Sequence, residues 1–443
     1  MTQRYVEFRQ DDLRIRAGNF YNIFGSGIVS RAFELPGVIL DDFRTKTRYS
    51  PSRDIDGVLI EYLHPSYKLN LMMGVPVEST SSPAVKDRRS GKIQGLNAEY
   101  HMNTILDFGA SYLHIKPDAG SDDEIYSFRM NLNSDAFRNL IQVEDLYMHI
   151  TGEVSNRNRH LLIRGFTLSN EIPHALYLAA NLDYKKFSLS AEYKDYMNYN
   201  IGVNDPPSLI KEHSHLLLNR DTHVLIPTDE EGYQLEGHYY LSASTSFTAN
   251  VSFARNELFI HPTDFSERFF EIEHKFNDDL DGALYIAGSK NEFEAISNKN
   301  TIGTVLNYDL GSRTGIGIDV SYQNATRDFE YYLEEDDNSR SFSPTEFSNL
   351  LISGSIGRSK TFNFGLITER TTDPLLTDDP STRETTETNP RWWSSFYLSF
   401  EPGRNHEVRI FGGQRRGGPA CTAGTCYDVL PFEGIELIVI SRF

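Results

Sequence analysis

Hydrophobic and polar residues alternate with a period of two along most of this chain. In the closing stretch E-G-I-E-L-I-V-I-S-R-F, Ile435, Leu437, Val439 and Phe443 share one parity, and Gly434, Glu436 and Arg442 share the other. A strand turns successive side chains to opposite faces, so each set takes one face. Ile438 and Ile440 make the polar face imperfect. The same stripe recurs upstream. Phe187, Leu189, Ala191 and Tyr193 oppose Ser188, Ser190, Glu192 and Lys194. Phe247, Ala249, Val251 and Phe253 oppose Thr248, Asn250, Ser252 and Ala254, and Ile316, Ile318, Val320 and Tyr322 oppose Gly315, Gly317, Asp319 and Ser321.

Pairs of such stretches flank short polar turns. The pattern predicts hairpins over 5–9/13–17, 55–63/67–77, 93–101/104–116, 175–184/187–197, 233–241/245–255, 268–276/280–290, 301–308/314–324, 348–357/361–370 and 392–400/407–414. It also predicts a strand over 125–132, one helical turn within 135–141, and a hairpin 142–154/159–168 turning at Ser155-Asn156-Arg157-Asn158. Between hairpins lie connections of about 10 to 30 residues, as expected for one meander with short turns on one side and long loops on the other. The longest, 198–230, carries Asp-Pro-Pro and three histidines and reads as an external loop or an inward-folded segment. Roughly twenty strands, within about 18 to 24, are expected, each near the ten or so residues that cross a bilayer at a tilt. The fold class that follows is all-β: a single antiparallel transmembrane β-barrel with short periplasmic turns and long extracellular loops, one domain over 1–443.

Composition fits that reading. No apolar run reaches the roughly 18 residues of a membrane-spanning helix. The mean hydropathy of −0.44 suits a barrel as well as a soluble protein, because only alternate residues meet lipid. Aromatic residues make up 12%, with 24 Tyr and 28 Phe against 2 Trp, and supply girdles at the bilayer interfaces. The adjacent Trp392 and Trp393 are expected there as strand anchors. A net charge of −19 excludes nucleic acid, which needs a basic surface. Residues 1–17 show no signal peptide and already alternate, yet an outer-membrane protein must be exported. A truncated amino terminus is therefore expected.

Candidate chemistry is sparse. The glycines at 18, 25 and 27 suit bends, but no Lys-Ser or Lys-Thr follows to cradle a phosphate. There is no G-x-S-x-G and no H-E-x-x-H, so no enzyme activity and no cofactor are expected. Glu212, His213, His215, Asp221 and His223 contain metal-ligating types; polar packing inside a barrel is the favoured account, with His213, His215 and His223 as weak metal candidates. The acidic run 334–337 lacks calcium-loop spacing and reads as a solvated loop. Cys421 and Cys426 lie in a short Gly-rich loop and predict a disulfide, free thiols being the alternative. Glu192, Lys194, Asn250 and Asp319 are expected to line the lumen.

Three stretches carry a resemblance: A-G-N-F-Y-N-I-F-G-S-G-I-V-S-R-A-F-E at 17–34, E-H-S-H-L-L-L-N-R at 212–220, and G-G-Q-R-R-G-G-P-A-C-T-A-G-T-C-Y-D-V-L-P-F-E-G-I-E-L-I-V-I-S-R-F at 412–443. The chain resembles an uncharacterised outer-membrane β-barrel family, a domain of unknown function, of Bacteroidota-type Gram-negative bacteria. The resemblance implies a barrel fold and an outer-membrane location, and supplies no catalytic residues. The expected function is a porin-like or solute-transport channel; the alternative is a non-conducting scaffold supporting secretion or surface-protein display. Expected partners are outer-membrane lipid and lipopolysaccharide, secretion or surface proteins, and the barrel-assembly machinery, with Phe443 as its signal.

Overall fold

A computed structural model describes residues 4–33, 40–42, 47–49, 54–77, 89, 91–102, 105–118, 120–134, 143, 145–157, 173–199, 201, 203–204, 211, 213–219, 229–256, 262–311, 313–328, 344–359, 361–377, 390–403, 405–422, 425–429 and 431–441. The predicted helical turn within 135–141, the predicted strand 159–168, the acidic run 334–337 and the residues Glu212, Asp221, His223 and Phe443 lie outside them.

The strands run in order as β1 (Tyr5–Gln10), β2 (Leu13–Phe20), β3 (Asn22–Phe24), β4 (Ser30–Ala32), β5 (Leu40–Asp42), β6 (Thr47–Tyr49), β7 (Ile55–His64), β8 (Tyr67–Pro76) and β9 (Lys92–His101). Then come β10 (Leu106–Lys116), β11 (Asp123–Leu132), β12 (Leu146–Arg157), β13 (His174–Tyr184), β14 (Phe187–Met197), β15 (Glu230–Ser242), β16 (Thr245–Asn256), β17 (Thr263–Lys275) and β18 (Leu280–Asn291). The series ends with β19 (Ile296–Asp309), β20 (Thr314–Arg327), β21 (Thr345–Arg358), β22 (Phe362–Thr371), β23 (Arg391–Gly403), β24 (His406–Arg415), β25 (Gly418–Thr422), β26 (Thr425–Val429) and β27 (Phe432–Ser441).

Three short hairpins, β3–β4, β5–β6 and β25–β26, stand apart, and the other strands form one 21-stranded sheet. Each sheet strand pairs antiparallel with the sheet strand before and after it, from β1 to β27. Among the described residues no ladder joins β1 to β27, so these two are edges. Tight turns close one end of the meander. Asp11 (φ 47°) and Lys185 (φ 53°) open two-residue turns in the left-handed region, the backbone that two-residue hairpins require.

The register separates two faces. Across β16 and β17, Asn250 pairs with Phe269 and Ser252 with Glu267, while Val251 pairs with Arg268 and Ala249 with Phe270. Asn250 is 1% exposed and Val251 40%. The face carrying Asn250 is the inner one, and the apolar stripe is outside. Outer-face residues such as Leu235, Ile286, Ile302, Ile318 and Leu366 are all exposed.

The sheet wraps around its inner face. One buried apolar cluster joins Phe20 of β2, Leu59 of β7, Met72 of β8, Ile93 of β9, Leu113 of β10, Ile125 of β11, Ala175 of β13 and Tyr196 of β14 to Phe24, Ile28 and Val29 of the 17–34 stretch. Laid flat, the eight intervals from β2 to β14 would be roughly 38 Å wide. A single cluster with one short segment at its centre is possible only on a strongly curved sheet.

Two details of the expected layout change. The residues read as a turn at Ser155-Asn156-Arg157-Asn158 instead continue β12 as far as Arg157, with Ser155 facing Ser127 and Ala175. Both Ser155 and Asn156 are fully buried, Ser155 on the inner face with Ser127 and Asn156 on the opposite parity with Tyr126; a buried polar pair imitates a turn. Trp392 and Trp393 do not share an interface, because neighbours on a strand face opposite ways. Trp392 is 49% exposed, whereas Trp393 is buried at 6% beneath Arg391 and Arg416.

Candidate functional site

The inner face is divided between two segments of the chain's own making. The first is the glycine-rich stretch that forms β3 and β4. Gly18, Gly25 and Gly27 all have positive φ (108°, 58° and 91°), the freedom expected of glycine at a fold-back. Beyond the apolar cluster it is held by charge. Ser26 donates to Glu153 Oε2 from its backbone N (2.9 Å) and its Oγ (2.5 Å). Arg129 reaches Glu99 at 3.0 Å and Glu153 at 3.6 Å. A Cβ at Gly25 would lie 1.6 Å from an Arg129 nitrogen, and one at Gly109 2.4 Å from another. The guanidinium therefore occupies space that two glycines leave free.

The second segment is the long connection after β14, whose described residues fold inward. Tyr199 and Ile201 join the apolar cluster. Tyr199 OH meets Ser155 Oγ at 2.5 Å; burial pushes its phenol well above the usual range, against a smaller opposite pull from Ser155. Asn204 Nδ2 donates to the carbonyls of Gly27 (2.9 Å) and Ile28 (2.6 Å), tying the two segments together. Further on, Lys211 pairs with Glu236 (2.5 Å), His213 with Glu267 (2.7 Å) and His215 with Glu271 (2.5 Å). His215 stacks on Tyr285 with ring centroids 3.6 Å apart. Tyr285 in turn lies over Gly303, its pair on β19, where a Cβ would sit 2.2 Å from the ring. The short helix Leu216–Asn219 follows and approaches β25, the first strand of the cysteine hairpin. Thus 212–220 and 412–443, two stretches of the resemblance, meet on the inner face, and 17–34 is tied to the same long connection.

All four expected lumen residues face inward. Glu192 accepts from Tyr177 OH at 3.0 Å. Lys194 pairs with Glu230, both with fully buried side chains. Asn250 donates to Glu236 at 3.0 Å. Asp319 lines a cavity of about 550 Å³ together with His215, Glu271, Glu273, Asp281 and Asn307. The cavity mixes polar and apolar walls, sets the carboxyl groups of Glu271, Glu273, Asp281 and Asp319 against Lys275 and two histidines, and opens beside the tight turn at Ala243 and Ser244.

His213 and His215 do not converge on one point. Their partners Glu267 and Glu271 are four residues apart on β17, roughly 14 Å along the strand. Among the described residues no three His, Cys, Asp or Glu side chains gather as a metal ion needs. Cys421 and Cys426 are directly paired positions of the β25–β26 hairpin. Both cysteine side chains lie outside the described residues, and the expected disulfide lies there with them. Sequence reasoning missed Arg129, Glu153, Glu99, Glu236, Glu267 and Glu271. Their inward parity was readable, but their partners come from segments far away in the chain.

Residues 1–305 match a sequence family described as a family of unknown function, DUF6029. The chain belongs to this family. The match includes both inward-folded segments and stops before β20. No curated protein matches the chain. Among solved structures, the ferric-catecholate import receptor Fiu from K12 E. coli is 10% identical, with 99% of this chain and 78% of that one covered and a TM-score of 0.42. The FrpB iron transporter from Neisseria meningitidis is 10% identical over 99% and 79%, with a TM-score of 0.41. A porin is 11% identical over 76% and 99%, with a TM-score of 0.35. Likeness of that size decides nothing about the DUF6029 chain.

Proposed function

We propose that this DUF6029 protein is an outer-membrane β-barrel through which solutes cross, its passage narrowed by its own inward-folded segments. The observation that carries this is the two-faced sheet: 21 strands with exposed Leu, Ile, Val and Phe outside and charged and amide side chains inside. Lipid cannot satisfy the polar backbone of a free strand edge, so such a sheet is stable in a bilayer only when closed or covered. A cavity of about 550 Å³ with four carboxyl groups in its lining opens on the inner face among the described residues, and it favours cationic over anionic solutes. Lipid, lipopolysaccharide and the assembly machinery that reads a C-terminal strand are the partners this reading calls for.

A second reading has its own support. The apolar cluster around Phe24 and Ile28 fills one side of the interior, as in a non-conducting scaffold for secretion or surface display. Planar-bilayer recording separates the two. The transport reading expects small, cation-preferring conductance steps from the reconstituted full chain. Silent bilayers, with the protein inserted and folded, would leave the scaffold.

A further inference from the structure

Cations near the upper outer face already have partners. Arg255 pairs with Asp264 at 2.8 Å and Lys290 with Glu292 at 2.5 Å. Arg268 on β17 is different. It is exposed, shares the outward parity of Phe270 and Ile272, and has no hydrogen bond, ion pair or ring contact among the described residues.

The register places it at a border. Its ladder row reads Val251, Arg268, Gly288, Asn300 and Asn324. The next outward row towards the tight turns reads Ala249, Phe270, Ile286, Ile302 and Tyr322. Towards the long connections come Phe253, Ser266 and Lys290, then Arg255 and Asp264, a row with one aromatic residue followed by a charged pair. Arg268 therefore stands where the apolar belt gives way to polar residues. A groove of about 640 Å³ opens there, lined by Val251, Arg268, Phe270, Ile286, Gly288 and Ile302. A Cβ at Gly288 would meet only Asn300 Oδ1, at 3.5 Å, so glycine keeps this groove open without any backbone need for it.

We propose that the groove holds one phosphate-headed anionic lipid, its acyl chain along Phe270, Ile286 and Ile302 and its phosphate on the Arg268 guanidinium. The site rests on the membrane reading above. A guanidinium left bare beside hydrocarbon is costly, and its planar fork matches phosphate oxygens in a bidentate way. Charge and shape together select a lipid over a free anion, because the guanidinium has apolar walls directly below it.

Native mass spectrometry of the full chain in detergent tests this, with phosphatidylglycerol and the phosphate-free diacylglycerol as probes. The intact protein is expected to favour phosphatidylglycerol roughly tenfold, the scale of one charge-assisted hydrogen-bonding group. Arg268→Gln is expected to lose that preference and Arg268→Lys to keep part of it. Gly288→Leu, which fills the groove, is expected to lower tight binding of both lipids. Equal binding of both lipids by the intact protein, or an unchanged preference in Arg268→Gln, overturns the site and leaves the barrel standing. A chain that stays monomeric without detergent and binds neither lipid overturns the membrane reading itself.

Discussion

The inner face of β7–β14 and that of β15–β20 solve the same problem in different ways. The first is dry: Leu59, Ile93, Leu113 and Ile125 turn inward and close on Phe24, Ile28 and Val29. The second is wet: Glu236, Glu267, Glu271 and Asp319 turn inward, and the long connection meets them with Lys211, His213 and His215. The dry side gains from buried area, which is non-directional and tolerant of small shifts. The wet side depends on paired charges, which fix position but recover their desolvation only with good geometry. The difference separates two kinds of hold: the glycine-rich segment is fixed mainly by apolar packing, and the buried histidine segment mainly by ion pairs with the wall.

Point substitutions test this contrast directly. The largest effect is expected at the boundary between the two sides, where Lys194 and Glu230 are buried together. Lys194→Met strands a carboxylate and should cost about 3–5 kcal/mol in denaturant unfolding; adding Glu230→Leu should recover most of it. Phe24→Ala, at 0% exposure, should cost about 3–4 kcal/mol and loosen only the dry side. His213→Ala leaves Glu267 without its partner and should cost about 1–3 kcal/mol, with larger conductance as its signature. Equal conductance in His213→Ala and Phe24→Ala would erase the contrast.

Alkaline pH gives a smaller effect. Burial raises the Tyr199 phenol, so the fold holds its proton more tightly than the unfolded chain does. That contribution is complete below the unfolded value near 10 and is lost as pH rises beyond it. Unfolding midpoints measured above about pH 10 should therefore fall less in Tyr199→Phe than in the parent. The least is expected from Asp278→Asn. Lys275 holds this exposed turn carboxyl below its usual range, but water and salt screen such a pair; no change in the unfolding midpoint should be seen.

Much of the architecture was legible because a period of two survives any tertiary surroundings. Glu192, Lys194, Asn250 and Asp319 all lie on the face their parity assigned. The dry filling was not legible. Phe20, Phe24, Ile28 and Val29 sit in a stretch whose glycines announce bends without saying what the bends enclose. The inward apolar residues Ile93, Leu113 and Ile125 break the rule that a barrel interior is polar, and only the segment packed on them explains why. Parity likewise showed which way Glu267 and Glu271 point, but not the histidines that reach them across more than 50 positions of sequence.

In a meander of hairpins, direction reverses at every strand, so the odd tally of 21 among the described residues leaves β1 and β27 heading the same way. A ring built wholly of antiparallel neighbours needs an even tally. A closed ring would therefore require either one parallel seam between β1 and β27 or an odd number of additional strands between them. Each alternative sets a different spacing between Phe8 and Leu437, both on the lipid-side parity of their strands.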